Sequence, residues 1–436
     1  LAFNKFQDFL GGLVARQRDR FSKNGAPDID DLLARLMGNT GEVSAIVAAR
    51  ELLDMYKGLD DEAKKEFFFN IEKNFNAAPA SVKLAFDTFD IDPSSTNLNR
   101  LNHAAEPRRV ELLRRLNQTP GATHDLVDMR KDLLGLLRDH PELSAVDENF
   151  MHLFRSWFSR GFLLLQTIDW STSAAILNRI IRYEAVHAIK DWDDLRSRVD
   201  RPNRRCFAFF HPALTDEPLI FVEVALSNEI PGSIDSILND TAEGDVDPAK
   251  FTTATFYSIS NCQPGLKNIS FGNFLIKQVV QELKADFPSI KQFVTLSPIP
   301  GFKRWLDSDA DADAETGTDS VELVELKTKM RSLDIVAENV ADHEEAIRKL
   351  VLNYLLLAKK GKYPLDPVAR FHLGNGAQVH QIHASADLSD KGLAQSYGTM
   401  VNYLYDLRYI ERNHEQYVTE GNIEFNDKLK ASLLKS

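Results

Sequence analysis

The spacing of apolar residues changes character once along this chain, near residue 160, and that change constrains the architecture more than any motif does. Before it, Ile29–Leu36, Val43–Tyr56, Glu62–Phe75, Ser81–Phe89, Arg108–Leu116 and Leu126–Leu137 carry apolar side chains at intervals of three and four, which stacks them on one face of a helix. The breaks fall at Asn24-Gly25, Asp92-Pro93, Thr119-Pro120-Gly121 and His140-Pro141, all turn or helix-stop signals. Val, Ile and Thr are sparse, as in a segment without a sheet. Residues 1–160 therefore read as an all-helical domain for packing or oligomerisation, with nothing in it that reads as a site.

From residue 161 to 436 short runs rich in aromatic and β-branched residues appear: Arg205–Phe210, Leu219–Leu226, Thr252–Ser260 and Phe293–Leu296. Ala369–Leu373 and Ala377–Ile382 read as two further strands, joined as a hairpin by Gly374-Asn375-Gly376. Ser173–Val186, Phe271–Ala285, Glu344–Ala358 and Lys391–Leu407 read as helices between them. Interleaved strands and helices predict an α+β, mixed α/β domain with a central mixed sheet flanked by helices. Asp307–Ser320 is acidic and nearly devoid of apolar side chains, hence a solvated or disordered loop.

Composition closes several alternatives. A chain of 436 residues exceeds one ordinary core, so two domains are the default. The formal charge of −12 argues against general affinity for nucleic acid or an anionic membrane surface. Only Cys206 and Cys262 are present, too few for a disulfide scaffold and too far apart for a zinc cluster. A reducing compartment is expected, the cytoplasm if the source is bacterial. No apolar stretch approaches the roughly 18 to 20 residues that span a bilayer, and Leu1-Ala-Phe-Asn-Lys-Phe does not read as a signal peptide.

The common nucleotide and hydrolase signatures G-x-x-x-x-G-K-[ST], G-x-G-x-x-G and G-x-S-x-G do not occur. His380 and His383, three apart on an expected strand, would face opposite ways and read as structural. One segment stands out, 252–295: a strand, a polar loop with Pro264 and Gly265, an amphipathic helix and a second strand. A loop whose N–H groups converge at a helix N-terminus suits an anion, and Lys267 adds a full charge beside it. Ser297 precedes Pro298, which cannot extend a ladder, so Ser297 is expected where the strand leaves the sheet. His372, between Phe371 and Leu373 at an expected strand end, reads on its own as a hydrogen-bonded core histidine. Spacing alone does not pair it with Ser297.

Taken together, these segments resemble the malonyl-CoA decarboxylase family. The resemblance rests on IDWSTSAAIL, IIRYEAVHAI, FFHPALTDEPLIFVEVAL, TFYSISNCQPGLKNISFGNFLIKQ, LSPIPGFKRWL and ARFHLGNGAQVHQIH, and it covers about the last 270 residues. It implies a helical oligomerisation domain followed by a domain similar to the Gcn5-related N-acetyltransferases. It also implies conversion of malonyl-CoA to acetyl-CoA and CO2 in fatty-acid metabolism, with no metal, biotin or pyridoxal phosphate. By the same resemblance Ser297 and His372 are the catalytic pair, and the loop Lys267, Asn268, Ile269, Ser270, Phe271, Gly272 and Asn273 cradles the coenzyme A diphosphate. Position 270 is Ser where animal members are expected to carry an acidic residue. Lys277, Lys303 and Arg304 are candidates for the 3′-phosphate. The implied partners are malonyl-CoA and acetyl-CoA and further copies of the chain, as a dimer or tetramer, with no nucleic acid and no membrane. Two other readings stay open on this fold, an acyl-CoA-dependent N-acyltransferase and a non-catalytic acyl-CoA-binding sensor.

Overall fold

The structure, a computed structural model, describes residues 28–38, 41–240, 250–269, 275–308 and 321–432, with residues 12 and 247. The acidic stretch expected to be a loop lies outside them from residue 309 to 320. The chain forms two compact units. One comprises Leu1–Leu164, Phe210–Glu217 and Gln263–Phe271, the other Leu165–Phe209, Pro218–Cys262 and Gly272–Ser436. Among the described residues no helix is long and apolar enough to cross a membrane.

The first unit is helical: α1 Ile29–Met37, α2 Glu42–Lys57, α3 Asp61–Asn74, α4 Pro79–Ile91, α5 Ser95–Ala105, α6 Arg108–Leu116, α7 Ala122–Leu136 and α8 Ser144–Trp157. Asp28, Asp60 and Ser94 accept main-chain N–H bonds at the starts of α1, α3 and α5, satisfying donors that a helix start leaves over. Leu32, Leu36, Leu52, Phe68, Leu112, Leu116, Leu126 and Leu133 are fully buried and recur at helical spacing. Burial of each such side chain stabilises by about 1.5–3 kcal/mol. The α5 and α8 helices are additions to the expected set. The α4 helix is different in kind, because none of its residues is buried.

The second unit is built on an eight-stranded mixed sheet. Its strands are β1 Leu164–Ile168, β2 Arg204–Phe210, β3 Pro218–Ser227, β4 Thr253–Asn261, β5 Gln292–Thr295, β6 Ser297–Pro298, β9 Gln378–His383 and β10 Met400–Leu404. The pair β7 Lys359–Lys360 and β8 Tyr363–Pro364 forms a separate small sheet. The order is β1-β2-β3-β4-β5-β10-β6, with β9 on β10. Helices α9 Ala174–Tyr183, α10 Trp192–Val199, α11 Asp235–Leu238, α12 Leu275–Asp286, α13 Phe302–Asp307, α14 Val321–Arg331, α15 Glu344–Leu357, α16 Pro367–Gly374, α17 Asp390–Ser396 and α18 Ile410–Glu420 complete it.

The pair β4 and β5 matters most for function. It is parallel from Thr253↔Gln292 to Phe256↔Thr295, and Leu296 still donates its N–H to Phe256 O at 2.9 Å. Beyond that point β4 runs on to Asn261, while the other strand continues as β6 and pairs with β10. Two parallel neighbours thus part, and a parting pair leaves unpaired main-chain groups that a ligand can meet.

Three expectations are corrected. Ala369–Leu373 is not a strand and Gly374-Asn375-Gly376 is not a hairpin turn: the segment is α16. The Asp366 carboxylate caps that helix, accepting from Val368 N and Ala369 N at 2.9 Å each, and Pro367 fills the first turn, where no N–H is needed. Gly376 (φ +85°) ends the motif; a Cβ there would stand 2.1 Å from Ile410 O. Lys391–Leu407 is not one helix either. Tyr397 (φ +50°) and Gly398 (φ +69°) are both left-handed, which stops α17, and the β-branched and aromatic residues that follow form β10. Lastly, Pro298 does sit in the ladder, opposite Met400, with Ser297 opposite Val401. Ladder bonds alternate in direction along an antiparallel strand, so a residue without N–H fits where its nitrogen faces outward on an edge.

Asp366→Ala is expected to cost about 1–2 kcal/mol of stability through the lost cap, read as a lower urea midpoint at unchanged slope. A midpoint equal to wild type would remove Asp366 from this role.

Candidate active site

Strand alternation puts Thr295 and Ser297 on one face, and the facing β10 presents Tyr403 there, with Tyr405 one residue past its end. Helix α16 lowers His372 onto that face. The Ser297 hydroxyl lies 3.1 Å from His372 Nε2 and 2.9 Å from Thr295 Oγ1. The Tyr405 hydroxyl lies 2.8 Å from His372 Nδ1, and the Tyr403 ring stacks on the imidazole at 4.7 Å and 24°. Thr295 Oγ1 also accepts the Tyr403 main-chain N–H at 3.2 Å. Asn402 Nδ2 donates to Thr295 O at 2.8 Å, replacing a ladder bond where the strand pairs part. Ser297 is 6% exposed, His372 3% and Tyr405 1%: a proton transferred among them is shielded from bulk water.

Burial decides the charge states. It drives the His372 imidazole down from 6.5 to about 3, so the ring is neutral at physiological pH. Burial also pushes the Tyr405 phenol well above its ordinary value, so it keeps its proton and can donate to Nδ1. A neutral ring that accepts at Nδ1 carries its own hydrogen on Nε2, facing Ser297. That tautomer, assigned from the partners, leaves the serine hydroxyl hydrogen for Thr295 or for a ligand.

The frame behind the pair is equally specific. Asp366 Oδ2 accepts from Gly301 N at 3.4 Å and from the Tyr354 hydroxyl at 3.5 Å, which ties the start of α16 to the loop after Ser297. A Cβ at Gly301 would stand 2.2 Å from the Tyr354 hydroxyl, so the approach requires glycine. Burial raises the Asp366 carboxyl, and the N–H bonds it accepts oppose that shift.

Of the other residues singled out, Lys267 and Asn268 are exposed, Ile269 is buried, and all three belong to a tight turn. Ile269 N donates to Leu266 O at 3.0 Å, with Lys267 at φ −53°, ψ 134° and Asn268 at φ +65°, the geometry of a type II turn. Ser270, Phe271, Gly272 and Asn273 lie outside the described residues. Lys277 pairs with Glu411 at 2.6 Å and Lys303 lies over the Tyr397 ring, so both have protein partners. His383 bonds Asn402 and His380 approaches Asn426. Among the described residues no group of three or more His, Cys, Asp and Glu is arranged to hold a metal ion. Sequence reasoning missed Thr295, Tyr403, Tyr405 and Asp366. Alternation from Ser297 would have found Thr295, and Asp366-Pro367 is a helix-start signature.

The profile described as the malonyl-CoA decarboxylase C-terminal domain matches residues 161–436, and the N-terminal domain profile of the same name matches residues 75–158. The mitochondrial malonyl-CoA decarboxylase of Anser anser anser is 36% identical over 356 residues, covering 76% of this chain and 70% of that protein. The Rattus norvegicus protein of the same name is 35% identical, covering 76% and 72%. The crystal structure of malonyl-CoA decarboxylase from Rhodopseudomonas palustris is similar with a TM-score of 0.86 at 45% identity, over 93% of this chain and 100% of that one. For the enzyme from Agrobacterium vitis the TM-score is 0.84 at 45% identity, over 94% and 100%.

Because its folded pKa is depressed, His372 contributes stability that is present above 6.5 and lost as pH falls toward 3. The ring resonances of His372, identified by their loss in His372→Gln, should stay constant from about pH 8 to pH 5. A midpoint near 6.5 would contradict a buried, neutral imidazole.

Proposed function

The chain belongs to the malonyl-CoA decarboxylase family, whose members are carboxy-lyases, and we propose that Ser297 and His372 carry its reaction on malonyl-CoA. The observation that carries this reading is the buried 3.1 Å contact between Ser297 Oγ and His372 Nε2. Malonyl-CoA brings its own electron sink. As the bond between the carboxylate carbon and the α carbon breaks, the electron pair passes into the thioester as an enolate and CO2 departs. The reading therefore asks for no metal, biotin or pyridoxal phosphate.

The protein's part is electrostatic and positional. Ser297, with its hydrogen free of the imidazole, donates to the developing enolate oxygen; a donor of this kind is worth about 2.7–4 kcal/mol in other enzymes. His372 acts as general acid and passes the Nε2 proton to the α carbon, giving acetyl-CoA. The ring then regains a proton from water, so the balance is malonyl-CoA plus one proton to acetyl-CoA plus CO2. Tyr405 holds the tautomer that puts the transferable proton on the Ser297 side. Coenzyme A supplies the handle that fixes the thioester, with its diphosphate on the 267–273 loop and Lys267 adding affinity rather than chemistry. The turn supports this, because its exposed Asn268 N–H has no main-chain acceptor among the described residues.

The same reading has the chain associate with copies of itself through α4 and α5. Leu84 is 70% exposed, Phe86 52%, Ile91 86% and Leu98 43%, an apolar surface out of keeping with a solvated helical hairpin.

His372→Ala should lower kcat by roughly 10²–10⁴-fold, the scale of proton-transfer catalysis, and Ser297→Ala by roughly 10²–10³-fold, the scale of one oxyanion donor, with coenzyme A affinity and helical content kept. Acetyl-CoA is followed by mass from malonyl-CoA alone, and wild-type turnover in either variant would end its assigned role. Leu84→Asp with Phe86→Asp should lower the sedimenting mass; an unchanged mass would place any self-association elsewhere.

A further inference from the structure

We infer that Arg130, in the helical unit, is a positioning residue for coenzyme A: it fixes the orientation of the peptide between Lys267 and Asn268. The inference rests on the reading that the turn at Lys267 and Asn268 takes part in seating the diphosphate. Arg130 is completely buried on α7. Its Nε and Nη2 donate to Asp147 Oδ1 and Oδ2 at 2.7 and 3.4 Å, while Nη1 donates to Gly265 O at 2.7 Å and Lys267 O at 2.9 Å. Asp147 holds the guanidinium and the guanidinium holds the loop. The loop also lies flat on the helix, since a Cβ at Gly265 would stand 1.9 Å from Val127 O.

The grip falls where a turn is least determined by itself. Type I and type II turns share their ends and differ by a flip of the central peptide, here the one joining Lys267 and Asn268. Type II needs a left-handed third residue, which glycine takes without penalty and asparagine takes at a cost. Asn268 at φ +65° therefore adopts the less favoured choice. A bond from Arg130 to Lys267 O selects it, because a trans peptide points its N–H opposite to its C=O. Holding that oxygen inward aims the Asn268 N–H away from Arg130 and toward the exposed side of the turn. A flip would present a carbonyl oxygen there instead, which repels a phosphate. Only a planar, forked cation reaches a carboxylate and two carbonyls at once; lysine, a single point charge, does not.

The test is calorimetric titration with coenzyme A alongside steady-state kinetics. Arg130→Lys keeps the charge facing Asp147 and should raise Kd and KM roughly tenfold, as expected for one misdirected charge-assisted bond, with kcat within about twofold. Adding Asn268→Gly, which lets the turn hold type II unaided, should recover most of that loss. Asp147→Asn, which loosens the guanidinium without touching the loop, should shift Kd the same way by less, and it keeps the test open if Arg130→Lys folds poorly. Lys267→Ala is the control for the loop itself. Unchanged affinity in Arg130→Lys and Asp147→Asn while Lys267→Ala weakens binding overturns the positioning role, as does a loss that Asn268→Gly fails to recover. Unchanged affinity in all of them removes the diphosphate from this loop, and the inference with it.

Discussion

The proposed chemistry depends on one hydrogen bond between side chains 75 residues apart, Ser297 on a strand edge and His372 on a helix. Neither element would hold its residue without the other. The strand pair β4 and β5 must part just before Ser297, and α16 must start at Asp366 for His372 to arrive over the sheet. Asp366 joins the two requirements: it caps the helix and accepts the Gly301 N–H from the loop that follows Ser297. A buried carboxyl that ties four donors together is costly unless every bond is made, and that gives the geometry its uniqueness.

On the proposed reading, the setting of the imidazole makes the serine–histidine pair suited to decarboxylation rather than acyl transfer. In hydrolytic triads a carboxylate behind the histidine stabilises the imidazolium that forms when serine attacks. Here the group at Nδ1 is the Tyr405 phenol, and burial holds the ring neutral, down at about 3. A neutral ring with a phenol behind it is a poor base for activating serine. It is a suitable source of a proton for a carbon far more basic than itself. The stacked Tyr403 ring fixes the imidazole plane without adding charge.

Most of the helical first part was legible from spacing alone: Arg108–Leu116 matches to the residue and the other expected helices differ by a few positions, while α5 and α8 were not foreseen. The strands β2 to β5 were legible for the same reason, since aromatic and β-branched runs between turn signals have few other solutions, whereas β1 at Leu164–Ile168 was not foreseen. What failed lay where backbone geometry outweighs composition. His372 sits in a segment whose apolar pattern suits strand or helix, and Asp366-Pro367 decides for helix. Tyr405 was hidden because Lys391–Leu407 carries a helical pattern that two left-handed residues, Tyr397 and Gly398, interrupt. The Ser297–His372 pairing is a tertiary fact that no spacing encodes, and resemblance to a family supplied it. The buried grip of Arg130 on the loop was likewise invisible, since an arginine in a helical pattern reads as solvated surface.

A double-variant cycle on turnover tests most directly whether the two side chains work as one device. Ser297→Ala, His372→Ala and the double variant are compared by kcat for acetyl-CoA formation at saturating malonyl-CoA. If serine and imidazole act over one thioester, the double variant turns over within about threefold of the slower single variant, as groups acting as a unit do. If the two losses multiply instead, the residues act independently and the shared site is refuted.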